Sequence, residues 1–196
     1  MRINELAGIK DHPAYQAVKN VPDIQQGYTI TDSGSAEQVD AELAKLGWNR
    51  IGSGTYGLVY RHPQKNYVLK VFAEDYNYLD WLNYVQQNQS NPHVPRLYGK
   101  PRKIGNMYAI RMEILNPLTV ATLKKYVDPS ADLDSIPNTV DAYESYVFGD
   151  DDNLEWIETK FPKLHDALMA AYSIGDDLHE GENIMQRSST IVLIDP

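Results

Sequence analysis

The sequence predicts an α+β fold in which an antiparallel sheet comes first and helices dominate the remainder of the chain. Two hairpins and one stretch of helical periodicity predict it. The first hairpin joins Leu58-Val59-Tyr60 to an apolar run over residues 67–72 through the turn residues His62-Pro63-Gln64-Lys65-Asn66. The second pairs residues 100–104 with 107–114 across Gly105-Asn106, where an Asn beside Gly between strand-like runs marks a tight turn. Over residues 154–174 the apolar positions Leu154, Ile157, Phe161, Leu164, Leu168 and Tyr172 recur every three or four residues. Pro162 divides that pattern into two helices, because proline cannot continue a helix begun before it.

In chain order, residues 1–34 are interrupted by Pro13, Pro22, Gly27 and Gly34, and no function is readable from them. Ser35 with Gln38 three residues on has the pattern of a capping box. Val39, Leu43 and Leu46 then recur at helical spacing until Gly47, and a first strand is expected over residues 48–51. After Phe72, the acids Glu74 and Asp75 precede a helix carrying Tyr76, Leu79, Leu82 and Val85 on one face, with Asp80 inside it. Pro92 and Pro95 break the chain before the second hairpin, and Asn116-Pro117 comes after it as a turn. Residues 116–152 are acidic, are interrupted by Pro117, Pro129 and Pro137, and predict one or two short helices. His165 reads as a surface or packing histidine.

A chain of 196 residues has room for a core, and 42% apolar with 23% charged residues is ordinary globular composition. Cysteine is absent, which excludes a disulfide framework and a thiolate metal site. With no apolar run of spanning length and no secretory pattern after Met1, the chain reads as cytoplasmic. A net charge of −9, with clusters at Asp150-Asp151-Asp152 and Asp176-Asp177, speaks against nucleic-acid binding and for basic partners. Oligomeric state is not readable.

Two constellations carry chemistry. Gly52, Gly54 and Gly57 stand in the spacing G-x-G-x-x-G ahead of a strand, and Lys70 lies in the apolar run Val68-Leu69-Lys70-Val71 of the next. Glycines let backbone N–H groups approach phosphate oxygens, and a lysine on the facing strand adds a point charge. A dinucleotide-binding turn shares the glycine spacing, but there a helix comes after the glycines, whereas here a strand does. The second constellation is Asp177-Leu178-His179 with Asn183-Ile184-Met185, then the apolar run Ile191-Val192-Leu193-Ile194 and finally Asp195-Pro196.

In this order these motifs resemble the protein-kinase-like superfamily over residues 48–196: glycine loop, strand lysine, an Ile110-Arg111-Met112-Glu113-Ile114-Leu115 strand and hinge, an Asp-Leu-His loop, and an aspartate after an apolar strand. Tyr60-x-His62-Pro63, the Pro92-x-x-Pro95 passage and Ile-Asp-Pro in place of Asp-Phe-Gly make it similar to the early serine/threonine kinases of T-seven-type bacteriophages, in a short form ending at Ile-Asp-Pro. The resemblance implies residues 1–47 as an N-terminal extension with a packing helix, 48–115 as an antiparallel N-lobe and 116–196 as a reduced, mainly helical C-lobe. It implies ATP held by Ile51, Gly52, Gly54, Gly57, Val59, Lys70 and Met112 and by backbone groups of Glu113 and Leu115. It implies Asp177, with Asp176 beside it as the alternative, as the carboxylate that orients or deprotonates the attacking hydroxyl, His179 near the γ-phosphate, and Asn183 and Asp195 as hard oxygen ligands of Mg2+.

Three departures from the family pattern are visible. Asn183 lies six residues after Asp177 where the family has five, so Glu182 takes the expected asparagine position; the helix glutamate that pairs with the strand lysine is missing; and the sequence stops just after Asp195. Asp75 and Asp80 are the acids nearest to the missing glutamate's place. Similarity to that group implies a phage-encoded, early-expressed protein kinase, a transferase that moves the γ-phosphate of ATP to serine or threonine of host proteins in the host cytoplasm. The alternatives are a catalytically weak or inactive kinase-like protein that binds and inhibits a host protein through its acidic surface, and, third, a small-molecule phosphotransferase.

Overall fold

A computed structural model describes residues 13–19, 35–54, 57–104, 107–175 and 183–195. The fold is α+β, and its largest sheet is antiparallel throughout, with the order β1-β2-β3-β5-β4. The chain divides into two compact units, one drawn from Met1–Tyr76 and Leu97–Ile114, the other from Asn77–Arg96 and Leu115–Pro196.

The first unit holds helices α1 (Pro13–Lys19) and α2 (Ser35–Ala44) and strands β1 (Asn49–Ser53), β2 (Gly57–Arg61), β3 (Tyr67–Ala73), β4 (Arg102–Ile104) and β5 (Met107–Glu113). Both expected hairpins form, and the turn residues Gly105 and Asn106 lie outside the described residues. Strand periodicity sorts the side chains by face. Leu58, Tyr60, Leu69, Val71 and Ala109 turn one face toward Val18 of α1 and Val39 and Leu43 of α2, and all of these are buried. Gly47 ends the helical turn beyond α2 with φ of +80°, a left-handed conformation that suits glycine. A Cβ there would also meet His62 Nε2 at 2.9 Å. Leu46 is exposed rather than part of the buried stripe, and the first strand begins at Asn49, after Trp48, whose N–H donates back to the Leu43 carbonyl of α2 at 3.1 Å. The buried phenol of Tyr60 donates to Asp40 Oδ1 at 2.8 Å, and Arg50 pairs with the same carboxylate at 3.2 Å, which ties α2 to the β1–β2 hairpin.

The second unit contains most of α3 (Tyr76–Gln87), then α4 (Val120–Leu123), α5 (Val140–Gly149), α6 (Asp151–Lys160) and α7 (Pro162–Ile174), with a small sheet β6-β7-β8 (Asn116–Pro117, Ile184–Arg187, Thr190–Leu193). Helix α3 buries Tyr78, Trp81, Leu82 and Val85, whereas Tyr76 is exposed, so its apolar face is rotated from the one the sequence suggests. The break at Pro162 is found as expected: α6 ends at Lys160, and α7 opens with Pro162 in its first turn, where the missing N–H costs no helical hydrogen bond. Phe161, between the two, packs on Tyr126 and Trp156 with ring centroids 4.6 and 5.3 Å away. Asn116-Pro117 is a short strand pairing with Met185 and Gln186, not a free turn. No helix among the described residues is long and apolar enough to cross a membrane.

Candidate functional site

The first group of residues lies on the sheet face opposite α1 and α2. Antiparallel register places Val59 beside Lys70, Lys70 beside Ile110, and Val68 beside Met112, so Val59, Lys70 and Met112 share that face. Gly52 pairs with Val59 past a bulge at Ile51, whose side chain is exposed. The N–H of Gly54 donates to the Gly57 carbonyl at 2.8 Å and closes the loop; Thr55 and Tyr56 lie outside the described residues.

The three glycines are not equivalent. A Cβ on Gly57 would stand 3.1 Å from Lys70 Cε and 3.3 Å from Phe72 Cβ, so the lysine stem crosses β2 where a side chain is missing. A Cβ on Gly52 would make ordinary contact with Val59 at 3.8 Å, and one on Gly54 would meet nothing within 4 Å. Of these three glycines, only Gly57 is crowded by its neighbours. Met112 and Glu113 are buried at the end of β5, and Leu115, beyond the strand, is half-buried in the second unit.

The second group lies at the open end of the β7–β8 hairpin. Its ladder runs from Arg187↔Thr190 to Ile184↔Leu193, with Ser188 in the turn at φ of 55°. Just past the last pair, the carbonyl of Asn183 accepts the N–H of Ile194 at 2.8 Å and that of Asp195 at 3.4 Å. The amide of Asn183 and the carboxylate of Asp195 are thus carried on adjoining backbone, both half-buried. Asp177, His179 and Glu182 lie outside the described residues, and Asp80 on α3 is exposed.

Sequence reasoning missed the residues that fix this hairpin. The buried Trp81 donates its indole N–H to the Ile194 carbonyl at 3.2 Å. His93 Nδ1 lies 2.8 Å from the Ile191 carbonyl and therefore carries the proton, while the His93 carbonyl accepts the N–H of Leu193 at 3.0 Å. Burial pushes His93 below the usual histidine range, which keeps the ring neutral near pH 7. Arg187 reaches from β7 to the carbonyls of Pro92 and Val94 at 2.9 and 3.0 Å. Residues 92–94 thus line the outer edge of β8. The Pro92-x-x-Pro95 passage was the only trace of this in the sequence.

Among the described residues no group of three or more His, Asp or Glu side chains is gathered to hold a metal. Asn183 and Asp195 offer two hard oxygen donors, a set that suits Mg2+, which keeps several waters and takes its remaining ligands from substrate phosphates.

No protein-family profile and no curated protein matches the chain. Among solved structures it is similar to a crystallised kinase domain at a TM-score of 0.38 and 15% identity, over 76% of this chain and 50% of that one. It is also similar to a thermostable mutant of an aminoglycoside phosphotransferase, in ternary complex with ADP and hygromycin B, at 0.37 and 13%, over 80% and 70% of the two chains. The chain spans half the length of the first of these. Likenesses this distant leave the functional reading to the residues themselves.

Proposed function

We propose that the chain is a kinase-like phosphotransferase that moves the γ-phosphate of ATP to a serine or threonine hydroxyl of a host protein, and that it is encoded by a bacteriophage of the T-seven type. The observation that carries this reading is the backbone hydrogen bonding of Asn183 with Ile194 and Asp195, just past the β7–β8 ladder, so that the two residues with oxygen-bearing side chains lie on adjoining backbone. The shared face of Val59, Lys70 and Met112, with the lysine stem laid over Gly57, supports it.

In this reading Asn183 and Asp195 hold Mg2+, which when bound neutralises charge developing on the phosphate oxygens. Lys70 supplies a fixed positive charge to the phosphates, and backbone N–H groups of the loop holding Gly52, Gly54 and Gly57 line them. Ile51, Val59 and Met112 pack on the adenine, and backbone groups of Glu113 and Leu115 meet its edge. Asp177 accepts the proton of the attacking hydroxyl as its oxygen bonds to the γ-phosphorus and the bond to the β-phosphate oxygen breaks, releasing ADP. His179 stands near the transferred group, with a charge that depends on pH.

The test is incubation of purified protein with Mg2+ and γ-labelled ATP, alone and with bacterial lysate, beside Asp177→Ala, Lys70→Ala and Asp195→Ala. Label on protein with the parent, reduced at least about 100-fold in each variant, is the expected result. Equal labelling by parent and variants would trace the activity to a contaminant. Nucleotide binding without transfer would support the inhibitory binder, which the acidic stretch between Lys125 and Lys160, free of Lys and Arg, also suits.

A further inference from the structure

We infer that Trp81 is a positioning residue for Asp195, holding through one hydrogen bond the peptide that carries this carboxylate. The inference rests on the reading of Asn183 and Asp195 as metal ligands. The Ile194 peptide groups are held on both sides: the N–H goes to Asn183 at 2.8 Å, and the carbonyl accepts the Trp81 indole at 3.2 Å. That carbonyl belongs to the planar amide joining Ile194 to Asp195. Fixing its oxygen fixes the plane from which the Asp195 Cα projects.

The donor is rigid. Trp81 has no exposed surface, stacks on Tyr84 with ring centroids 5.4 Å apart, and sits on a helix whose Leu82 and Val85 are also fully buried. Upstream, the strand is already fastened: Ile191 to His93, Leu193 to the His93 backbone, and the β7 ladder as far as Ile184↔Leu193. Past Leu193 the ladder ends. Trp81 is a side chain from outside the hairpin that bonds there, one peptide before Asp195, so its hydrogen bond bears on Asp195 more directly than on the paired strand. Indole N–H is a donor only, and the carbonyl is an acceptor only, so the contact has one polarity and no protonation state to lose.

Outer partners of ligand-bearing groups characteristically change metal affinity by 10- to 100-fold when removed. The experiment is titration of Mn2+ into the full chain with saturating ADP, reading free Mn2+ by electron paramagnetic resonance, for the parent, Trp81→Phe, Asp195→Ala and Val85→Ala. Trp81→Phe keeps a buried aromatic ring and deletes the N–H; Val85→Ala weakens the same buried helix face and leaves the indole N–H in place. We expect Mn2+ affinity about tenfold weaker in Trp81→Phe and within about twofold of the parent in Val85→Ala. The Mg2+ concentration for half-maximal transfer should rise by the same factor in Trp81→Phe, while KM for ATP at saturating Mg2+ stays within about twofold.

Equal Mn2+ affinity in Trp81→Phe and parent, with Asp195→Ala weakened, overturns the inference and leaves the metal reading standing. Equal affinity in Asp195→Ala and parent overturns the metal reading itself, and the inference with it. If Trp81→Phe does not fold, replacing the indole at position 81 by the isosteric benzothiophene, which has no N–H, gives the same comparison: a tenfold loss supports the role and an unchanged affinity ends it.

Discussion

Gly57 and Gly54 stand three residues apart in one motif, yet the physical demands on them differ, and substitution separates them. Alanine at Gly57 would place a methyl 3.1 Å from the Lys70 stem and 3.3 Å from Phe72 Cβ, closer than most real contacts, with part of the clash against a buried neighbour that cannot swing away. Crowding of this kind costs about 1–3 kcal/mol. Alanine at Gly54 meets nothing within 4 Å, and its effect on stability should stay within about 0.5 kcal/mol. Urea denaturation checks both. On the proposed function, Gly57→Ala also weakens ATP binding by displacing Lys70, and a variant with unaltered stability and binding would show that the lysine does not depend on that gap.

Glu144 makes a different argument at the same scale. Its side chain is buried on α5, its Oε1 has no hydrogen-bond partner, and burial, with the Asp141 carboxylate as a second cause, pushes its pKa up to about 7. The folded state therefore holds a proton that the unfolded chain releases near its ordinary 4.5. Stability from this group is fully present below about pH 4.5 and is lost as the pH rises through about 7. Glu144→Gln removes the titration. The stability of the parent relative to that variant should fall by roughly 2–3 kcal/mol or less between pH 4.5 and pH 8, read by urea denaturation at both. A difference that does not move with pH would place the carboxylate in water.

At the scale of elements, the join between α5 and α6 depends on one amide. Asn153, 1% exposed, donates to the carbonyls of Tyr126 and Val147 at 3.1 Å each and accepts the N–H of Asp128 at 2.9 Å, while Asp150 caps α6 by accepting the Asn153 N–H at 2.9 Å. Three segments meet on one side chain. Asn153→Ala leaves those groups without partners in a dry place and should cost about 2–4 kcal/mol in a urea melt, whereas truncation of the exposed Asp152 beside it should cost less than about 0.5 kcal/mol. Nothing in the local sequence singles out Asn153, and this is a general division. Hairpins at residues 57–73 and 102–113, and the α6–α7 break at Pro162, were legible because turn chemistry and apolar period act over a few residues. The links from Trp81 to Ile194, from His93 to Ile191 and from Asn153 to Tyr126 join positions far apart in the chain, where no period exists to reveal them. The face of α3 was misjudged for a related reason. Tyr76 fits the apolar stripe by spacing, but its position at the helix start leaves it exposed while Trp81, outside the predicted stripe, is fully buried.

For the whole molecule, the functional groups named by the sequence are divided between two compact units: Lys70 and the glycine loop in one, Asn183 and Asp195 in the other. The proposed chemistry requires a single nucleotide to engage both sets, and thermodynamic coupling measures that directly. Removal of either partner of one bound ATP·Mg2+ weakens what the other can still contribute, so the losses in binding free energy for Lys70→Ala and Asp195→Ala should not add. We expect the double variant to bind ATP·Mg2+ more tightly than the sum of single losses predicts, by a coupling of about 0.5–3 kcal/mol in isothermal titration. The same cycle run with ATP in the absence of Mg2+ should show smaller coupling, because Asp195 then meets the phosphates as a like charge rather than through a cation. Additive losses under both conditions would mean that the two groups serve separate ligands. Transfer chemistry would then have to be abandoned in favour of binding alone, since neither set by itself both holds the metal and neutralises the phosphates.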